Sequence, residues 1–336
     1  KVILIITNKG DIHCNPVIKH FQKNGDEYFR LNTESLLTDY SFSFSQKDQS
    51  SNLLIKNKKN GKILSSSEVK SVWERRPCSP IIPVLDNEKI KSVVEDEAIE
   101  LSKWLRHFFI NCRTIGSSVW DRPNESKLRQ MNVASMVIEA IDSKIQVPFT
   151  LLTNSKVDLD TFANVVNKAV IKPIAADGLE LDDKHEIPFT SRQVTPENLN
   201  SISKEDLELC PTFMQEYIEK EYELRVTAIG QNILCCKIDS QKLPKGKGRE
   251  DWREGYDHGL SEAEEWIDCP KEIEEFISLY LQKMNLNFGC FDFIKAKINY
   301  YYFLECNPNG QWMWLEEDLG MPISESIANY LSFREN

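Results

Sequence analysis

The chain has 336 residues, of which 41% are hydrophobic and 28% are charged, an ordinary balance for a folded globular protein of two or three domains. A net charge of −11 excludes a general binder of nucleic acid or anionic membranes, although a local basic patch for a small acidic substrate is still allowed. The nine cysteines are scattered without a zinc-like C-x-x-C pair, which indicates a reducing, cytoplasmic protein.

The first segments predict an open α/β domain. Val2–Ile6 is a continuous apolar run, typical of a buried parallel strand and far too short to cross a membrane. A helix is expected over Pro16–Lys23 with Asn15 as its N-cap, and Tyr28–Asn32 predicts the next strand. No G-x-G-x-x-G follows the first strand, so the domain has no dinucleotide-binding fingerprint.

Two adjacent arginines then close a predicted strand in Trp73-Glu74-Arg75-Arg76-Pro77. Neighbouring side chains of a strand point to opposite faces, so only one of the two need enter a cleft. The alternative is a solvated basic strand end. A long amphipathic helix over Glu88–Phe109 follows and is predicted to pack into the core.

The turn cluster Asp121–Asn124 predicts a domain boundary, which divides the chain into residues 1–120, 121–208 and 209–336. A helix from Glu125 to about Ile141 carries Lys127 in its first turn, where a cation opposes the helix dipole at a small cost that a bound phosphate would reverse. The alternative, which this residue alone favours, is a plain surface lysine. The strand Ala169–Lys172 ends in a lysine, and the small-residue loop Ala175–Gly178 after it is a weak phosphate-binding signal.

The last third predicts an antiparallel sheet. Pro211–Ile218 is one strand, and Tyr222–Ile229 alternates so that Glu223, Arg225 and Thr227 share a face. Residues 232–239 predict the next strand, residues 241–259 a long functional loop, and residues 270–284 and 323–331 helices.

Two runs rich in aromatic and β-branched residues, 287–294 and 300–312, predict a β-hairpin. A turn at Ile298-Asn299 would pair Lys297 with Tyr300 and, counting outward, Asp292 with Glu305, whose face Asn307 would share. Two carboxylates and an amide oxygen on an apolar hairpin suit Mg²⁺ that also holds phosphates. The alternative is a surface hairpin with solvated acids.

The ordered set of these motifs resembles the ATP-grasp superfamily over about two-thirds of the chain. The motifs are Lys127, Val-Ile-Lys172-Pro, Gln-Glu216-Tyr-Ile218, Glu223-Leu-Arg225-Val, Phe-Asp292-Phe and Glu305-Cys-Asn307-Pro. The Trp-Glu-Arg-Arg-Pro stretch and Asn-Pro-Asn-Gly-Gln-Trp narrow the resemblance to the graspetide (microviridin-type) maturases of ribosomally made peptides. The implied fold is mixed α/β: an ATP-grasp fold with an N-terminal open α/β domain, a central domain and a C-terminal domain, with the nucleotide between the last two.

The resemblance implies ATP and Mg²⁺ as cofactors and a role for each matched residue. Phosphate binding falls to Lys127 and Lys172, and adenine binding to the backbone of Glu216, Tyr217 and Ile218. Ribose binding falls to Glu223, with Glu221 as the rival. The magnesium ligands are Asp292, Glu305 and Asn307. The cations near the transferred phosphate are Arg225 and Arg253.

The implied reaction joins Asp or Glu side chains of a precursor peptide to Ser, Thr or Lys side chains through an acyl phosphate. The partner is that peptide, with its leader and core, and Glu180–Val194 is the candidate leader-binding region. Members of the class tend to form homodimers, but the sequence itself carries no sign of an oligomeric state. The alternatives are a ligase that adds amino acids to a protein or small carboxylate, and a non-catalytic nucleotide-binding protein.

Overall fold

The computed structural model describes residues 1–84, 87–109, 111–118, 123–174, 178–182, 185–188 and 191–334. Its α-helices are α1 (Cys14–Asn24), α2 (Leu36–Asp39), α3 (Glu88–Phe108), α4 (Lys127–Ala140), α5 (Lys156–Val165), α6 (Pro196–Asn200), α7 (Lys204–Leu209), α8 (Lys271–Met284), α9 (Met313–Leu319) and α10 (Ile323–Ser332). None of the helices in these ranges is long and apolar enough to cross a membrane.

The strands, in chain order, are β1 (Val2–Thr7), β2 (Tyr28–Asn32), β3 (Tyr40–Lys47), β4 (Ser50–Asn57), β5 (Ile63–Ser65), β6 (Val69–Glu74), β7 (Arg113–Ile115), β8 (Ile145–Gln146), β9 (Thr150–Thr153), β10 (Ala169–Lys172), β11 (Gly178–Asp182), β12 (His185–Pro188), β13 (Arg192–Val194), β14 (Thr212–Glu216), β15 (Lys220–Ile229), β16 (Asn232–Ile238), β17 (Glu264–Ile267), β18 (Phe288–Ala296) and β19 (Tyr301–Asn307).

The N-terminal region is built on a parallel sheet of order β2-β1-β6-β7, as its opening β-α-β pattern predicts. Every residue of β1 is buried because the sheet is covered on both faces. Ile3 and Ile5 pack with α1 and α10, whereas Leu4 and Ile6 pack with the end of α3. A separate antiparallel sheet has the order β3-β4-β5, and Asn60 and Gly61 lie in the loop between β4 and β5.

The helix α1 begins earlier than the sequence predicts. Its N-cap is His13, which already has helical dihedral angles, so the expected cap at Asn15 is wrong. The reason is local: the Asp11 carboxylate accepts a hydrogen bond from the His13 backbone N–H at 3.1 Å and turns the chain into the helix two residues sooner.

Two further sheets carry the middle and the end of the chain. The central sheet has the order β13-β10-β14-β9, and the C-terminal sheet has the order β17-β16-β15-β18-β19-β8. All nine residues of β18 are buried, and α8 packs one face of this sheet with a helical stripe of apolar side chains. That stripe is Ile273, Phe276, Ile277, Tyr280, Leu281 and Met284.

The two ends of the chain share one hydrophobic core. Residues of β1 and α1 pack in the same cluster as Ile229, Phe288 and Trp312, and as residues of α10. In addition, α1 and α10 contact each other directly. The N-terminal sheet is therefore fixed against the end of the C-terminal sheet where β18 begins and β15 and β19 end.

The hairpin β18–β19 confirms the predicted pairing of Asp292 with Glu305, although the predicted turn is wrong. Ala296, not Lys297, is opposite Tyr300, since its N–H donates to Tyr300 O and Lys295 pairs with Tyr301. The loop is longer than predicted, and Asn299 in it takes a left-handed conformation (φ +64°). A β-bulge between Asp292 and Phe293 then shifts the register back by one residue. The two shifts cancel, so the two carboxylates are opposite each other.

Other elements differ from the predictions in extent. Residues 185–194 contain two strands, β12 and β13, and residues 189 and 190 between them lie outside the described ranges. The helix expected from Glu125 begins at Lys127, after the N-cap Ser126. Of the predicted loop 175–178, residues 175–177 lie outside the described residues, and so do residues 121 and 122 of the predicted boundary.

Candidate active site

Three charged residues form a row across three adjacent strands. Arg225 of β15 pairs with Asp292 of β18, and Asp292 pairs with Glu305 of β19. Arg225 Nη1 donates to Asp292 Oδ1 at 3.0 Å, and both side chains are about 6% exposed. Antiparallel neighbours in register bring side chains on one face together, so the row is a direct consequence of the strand order.

Arg253 lies between the two carboxylates of this row. Its Nη2 atom is 2.6 Å from Asp292 Oδ2 and 2.8 Å from Glu305 Oε1. The residue belongs to a short 3₁₀ segment, Trp252–His258, whose N-cap Asp251 accepts a hydrogen bond from the Arg253 backbone N–H. The long polar loop predicted before α8 therefore places the Arg253 guanidinium against the β18–β19 hairpin.

Burial alone would raise the pKa of Glu305, but the surrounding cations, Arg253 first, outweigh it and hold the pKa well below its usual range. Lys127, the first residue of α4, is one of these cations: its Nζ lies 3.4 Å from Glu305 Oε2. Glu305 is therefore a carboxylate at any ordinary pH, available to a metal ion or to cations.

Lys172, at the end of β10, reaches the same space from the central sheet. Its Nζ donates to Gln215 Oε1 at 2.7 Å, and burial lowers the pKa of the ammonium group. With Lys127 it brings two cations from two different elements toward the row, as two separate phosphate contacts would require.

A cavity of about 570 Å³ lies over the row, within the size range of small-molecule sites. All but one of the predicted site residues line it, and Arg225 lies behind the wall. The lining residues among them are Lys127, Lys172, Glu216, Tyr217, Ile218, Glu223, Arg253, Asp292, Glu305 and Asn307.

The predicted adenine-binding segment, Glu216–Ile218, begins at the last residue of β14 and lines the cavity. The Tyr217 backbone N–H is already bonded to Lys168 O at 2.9 Å, and Glu216 N–H to Phe149 O at 2.8 Å. Ile218 N–H donates to no backbone carbonyl within the described part of the chain. Of the three amides in this segment, Ile218 is thus the donor left for a ligand.

The two candidates for the ribose contact differ in position. Glu223 lines the cavity with its side chain 8% exposed, and its carboxylate accepts from Lys220 Nζ at 2.8 Å. Glu221 is exposed and is not part of the lining. Burial raises the pKa of Glu223, and the neighbouring ammonium group of Lys220 opposes that shift. Of the two, only Glu223 lines the cavity as described.

The residues present fit a divalent cation. Asp292, Glu305 and Asn307 all offer hard oxygen atoms, and the Arg253 guanidinium already bridges the two carboxylates as a cation would. The Asn307 side-chain oxygen accepts from the Asn309 backbone N–H at 2.9 Å, which fixes its direction. The described residues hold no group of three or more His, Cys, Asp or Glu side chains suited to a metal, so the amide is needed to complete three protein ligands.

The loop after β19 is held from the N-terminal sheet by an arginine whose role the sequence left open. Arg75 is 2% exposed, and its Nη1 donates to Asn309 O at 2.5 Å and Gly310 O at 3.2 Å. Its Nε lies 3.8 Å from the buried carboxylate of Asp11. The double arginine was the available signal, but its contacts cross more than 230 positions and no local pattern predicts them.

The candidate leader-binding region, 180–194, is described only in part. Its strands β11 and β12 form an antiparallel pair, and β13 joins the central sheet beside β10. Residues 183, 184, 189 and 190 lie outside the described ranges.

The sequence and the fold of this chain can be compared with those of known proteins. Curated proteins give no significant match to the sequence. Residues 2–112 match the sequence model of the MvdD pre-ATP grasp domain. A RiPP-associated ATP-grasp ligase from Chryseobacterium gregarium, solved with ADP and a leader and core peptide, has a TM-score of 0.87 at 26% identity over 100% of this chain and 98% of that one. This chain has the ATP-grasp fold. It resembles the ATP-grasp ligases that act in ribosomal-peptide maturation.

Two other solved structures have folds similar to that of this chain. The macrocyclase MdnC from Microcystis aeruginosa, bound with the precursor peptide MdnA, has a TM-score of 0.80 at 26% identity, covering 99% of this chain and 100% of that one. The D-cycloserine synthetase DcsG, at 11% identity and a TM-score of 0.54 over 98% of this chain and 100% of that one, is similar in fold alone. The predicted fold class and the predicted resemblance are both confirmed.

Proposed function

We propose that this chain is an ATP-dependent macrocyclase of a ribosomally made precursor peptide. It would activate Asp or Glu side chains as acyl phosphates and join them to Ser or Thr hydroxyls as esters or to Lys amines as amides. The observation that carries the proposal is the row Arg225–Asp292–Glu305 with two lysines facing one cavity. Its likeness to ligases solved with ADP and with precursor peptides supports the choice of substrates.

In the proposed reaction, a substrate carboxylate attacks the γ-phosphorus of ATP, forming an acyl phosphate and releasing ADP. A hydroxyl or amine then attacks the acyl carbon, its proton leaves with the solvent, and phosphate departs. The peptide loses one water per ring. The protein supplies little covalent chemistry, so its work is to align the groups, stabilise charge and exclude water.

Each part of the cavity has a task in this reaction. Lys127 and Lys172 bind the phosphates from two sides, and the Ile218 N–H meets the adenine edge. Glu223 accepts hydrogen bonds from the ribose hydroxyls. Arg225, held by Asp292, stabilises charge on the transferred phosphate from behind the row.

Asp292, Glu305 and Asn307 would hold Mg²⁺, which neutralises charge between the phosphates when bound. Arg253 must release its two carboxylates for this, and its guanidinium then becomes available to the transferred phosphate. The segment Trp252–His258 would carry this movement, since Arg253 belongs to it and its backbone N–H is bonded to the N-cap Asp251.

The experiment supplies the purified protein with Mg-ATP and the small Thr- and Glu-rich peptide expected from a neighbouring reading frame, and follows the peptide by mass spectrometry. The proposal requires loss of water from the peptide together with ADP and phosphate release. A gain of amino-acid mass on an acceptor would point instead to a ligase that extends a protein or small carboxylate. Nucleotide binding without any peptide-stimulated turnover would leave a non-catalytic binding protein.

A second experiment concerns peptide recognition. The region 180–194 is proposed to bind the leader. Its last strand, β13, pairs with β10, the strand that ends in Lys172. Exchange of this region for the matching segment of a relative should change leader affinity while nucleotide affinity stays constant. Unchanged leader affinity would exclude it.

A further inference from the structure

Arg76 adopts a backbone conformation that few side chains take. It follows β6 and precedes Pro77, yet its φ is +49°, in the left-handed region. A proline at the next position further disfavours helical conformations of either hand, so the arrangement costs energy. Asn8 Nδ2 donates to Arg76 O at 2.6 Å and holds this peptide in place. The direction of the Arg76 side chain is therefore fixed by the fold.

This conformation separates the two adjacent arginines. Arg75 is buried, and its guanidinium donates to the carbonyls of Asn309 and Gly310 and lies near the Asp11 carboxylate. Arg76 is exposed, and with the Gln311 amide oxygen turned towards it, Nη2 donates at 2.8 Å and Nη1 at 3.3 Å. Arg76 thus presents both terminal nitrogens to one neutral oxygen, in the geometry that suits a carboxylate.

Three arginines surround the loop 309–311, and their partners differ. Arg225 pairs with Asp292, and Arg75 lies within 4 Å of Asp11. Arg76 lies within ion-pair distance of no carboxylate anywhere in the part of the chain that the structure describes. A neutral amide is a weaker partner for a guanidinium than a carboxylate is, so an incoming carboxylate would displace Gln311.

The position of Arg76 relates it to the proposed reaction. Gln311 O accepts from Arg225 Nη2 at 3.0 Å, so Gln311 joins the two arginines. Arg76 does not line the 570 Å³ cavity, and it bonds the Gln311 side chain whereas Arg225 bonds the Gln311 backbone. A carboxylate that took the place of the Gln311 amide on Arg76 would therefore lie outside the lining of the cavity, and Gln311 would link its binding residue to the Arg225–Asp292 pair.

We infer that Arg76 is a binding residue for a side-chain carboxylate of the peptide substrate, with Gln311 as its partner when no substrate is bound. The inference rests on the proposed function for the identity of the substrate. It does not depend on which residues hold the metal, since Arg76 touches none of the predicted ligands.

The test uses two probes that differ only in charge, N-acetylglutamate N-methylamide and N-acetylglutamine N-methylamide, with the ADP-loaded protein. Their affinities are measured by saturation-transfer NMR for the wild type, Arg76→Gln and Arg76→Lys. The matched control is Arg129→Gln, an exposed arginine two positions beyond Lys127 on α4, which helical spacing points away from the cavity. ADP affinity is measured for every variant.

The wild type should prefer the acid over the amide by about 10- to 100-fold, the range for a hydrogen-bonded ion pair. Arg76→Gln should abolish this preference, Arg76→Lys should keep part of it, and the control should behave as wild type. A wild type without preference, or an Arg76→Gln protein that keeps it, overturns the inference. Absence of ADP binding by the wild type would instead overturn the proposed function, so the two failures are distinguishable.

Discussion

Replacement of Glu223 by glutamine isolates the charge of the proposed ribose contact. The side chain is 8% exposed and Lys220, its partner at 2.8 Å, is 3% exposed, so the pair is shielded from water. Glutamine keeps the shape and an oxygen for Lys220 Nζ, which also donates to Glu250 O at 2.8 Å. The substitution should therefore leave the fold intact while weakening each hydrogen bond that the carboxylate accepts from a hydroxyl.

A hydrogen bond to a charged acceptor contributes about 1.5–3 kcal/mol, so Glu223→Gln should weaken ATP-analogue binding by about 10- to 100-fold. Glu221→Gln is the matched control, because Glu221 is exposed two positions away and should leave affinity unchanged. Isothermal calorimetry with AMPPNP and its 2′-deoxy and 3′-deoxy forms is the assay. The wild type should bind the deoxy form that lacks the bonded hydroxyl more weakly than AMPPNP. Glu223→Gln should bind that deoxy form and AMPPNP with equal affinity. A loss confined to Glu221→Gln would refute the reasoning and assign the ribose to that residue.

The remaining predictions concern charge at buried sites. Asp292→Asn and Glu305→Gln should each nearly abolish ATP turnover with retained circular dichroism, and normal rates in both would remove the hairpin from the mechanism. Burial alone would raise the pKa of Asp11, but a hydrogen bond with His13 and a nearby guanidinium lower it to about 2. Its contribution, about 2 kcal/mol, is thus present above pH 4 and lost as the pH falls towards 2, and urea unfolding of Asp11→Asn should lack this loss. Burial, with a neighbouring carboxylate, raises the pKa of Glu264 to about 8, so wild-type stability should fall between pH 4.5 and 8 and Glu264→Gln should escape that fall.

Local sequence patterns were enough to predict which side chains form the row of Arg225, Asp292 and Glu305. Alternation along β15 and the two runs of the hairpin were enough to bring Arg225, Asp292 and Glu305 towards one face. The register was right for an incomplete reason, because the longer turn at Asn299 and the bulge at Asp292 cancel. Neither feature has a sequence signal strong enough to place it alone.

What the sequence missed depends on irregular backbone and on distant contacts. Lys220 and Glu223 would point to opposite faces of a regular strand, and a bulge between Lys220 and Tyr222 brings them together. The position of Arg253 between both carboxylates follows from a 3₁₀ turn inside a polar loop. The strand β17 and the seven-residue helix α9 are too short for their periodicity to be read.

The junction between the two ends of the chain limits how this protein can be divided. Arg75 grips the backbone that follows Asn307, and β1 and α1 share a hydrophobic core with α10. A fragment beginning at residue 123 would keep the side chains that line the 570 Å³ cavity, but it would lose the Arg75 contacts to that loop and expose an apolar surface. The first third of the sequence is therefore part of the folded unit that carries the candidate active site, and its deletion should destabilise that unit.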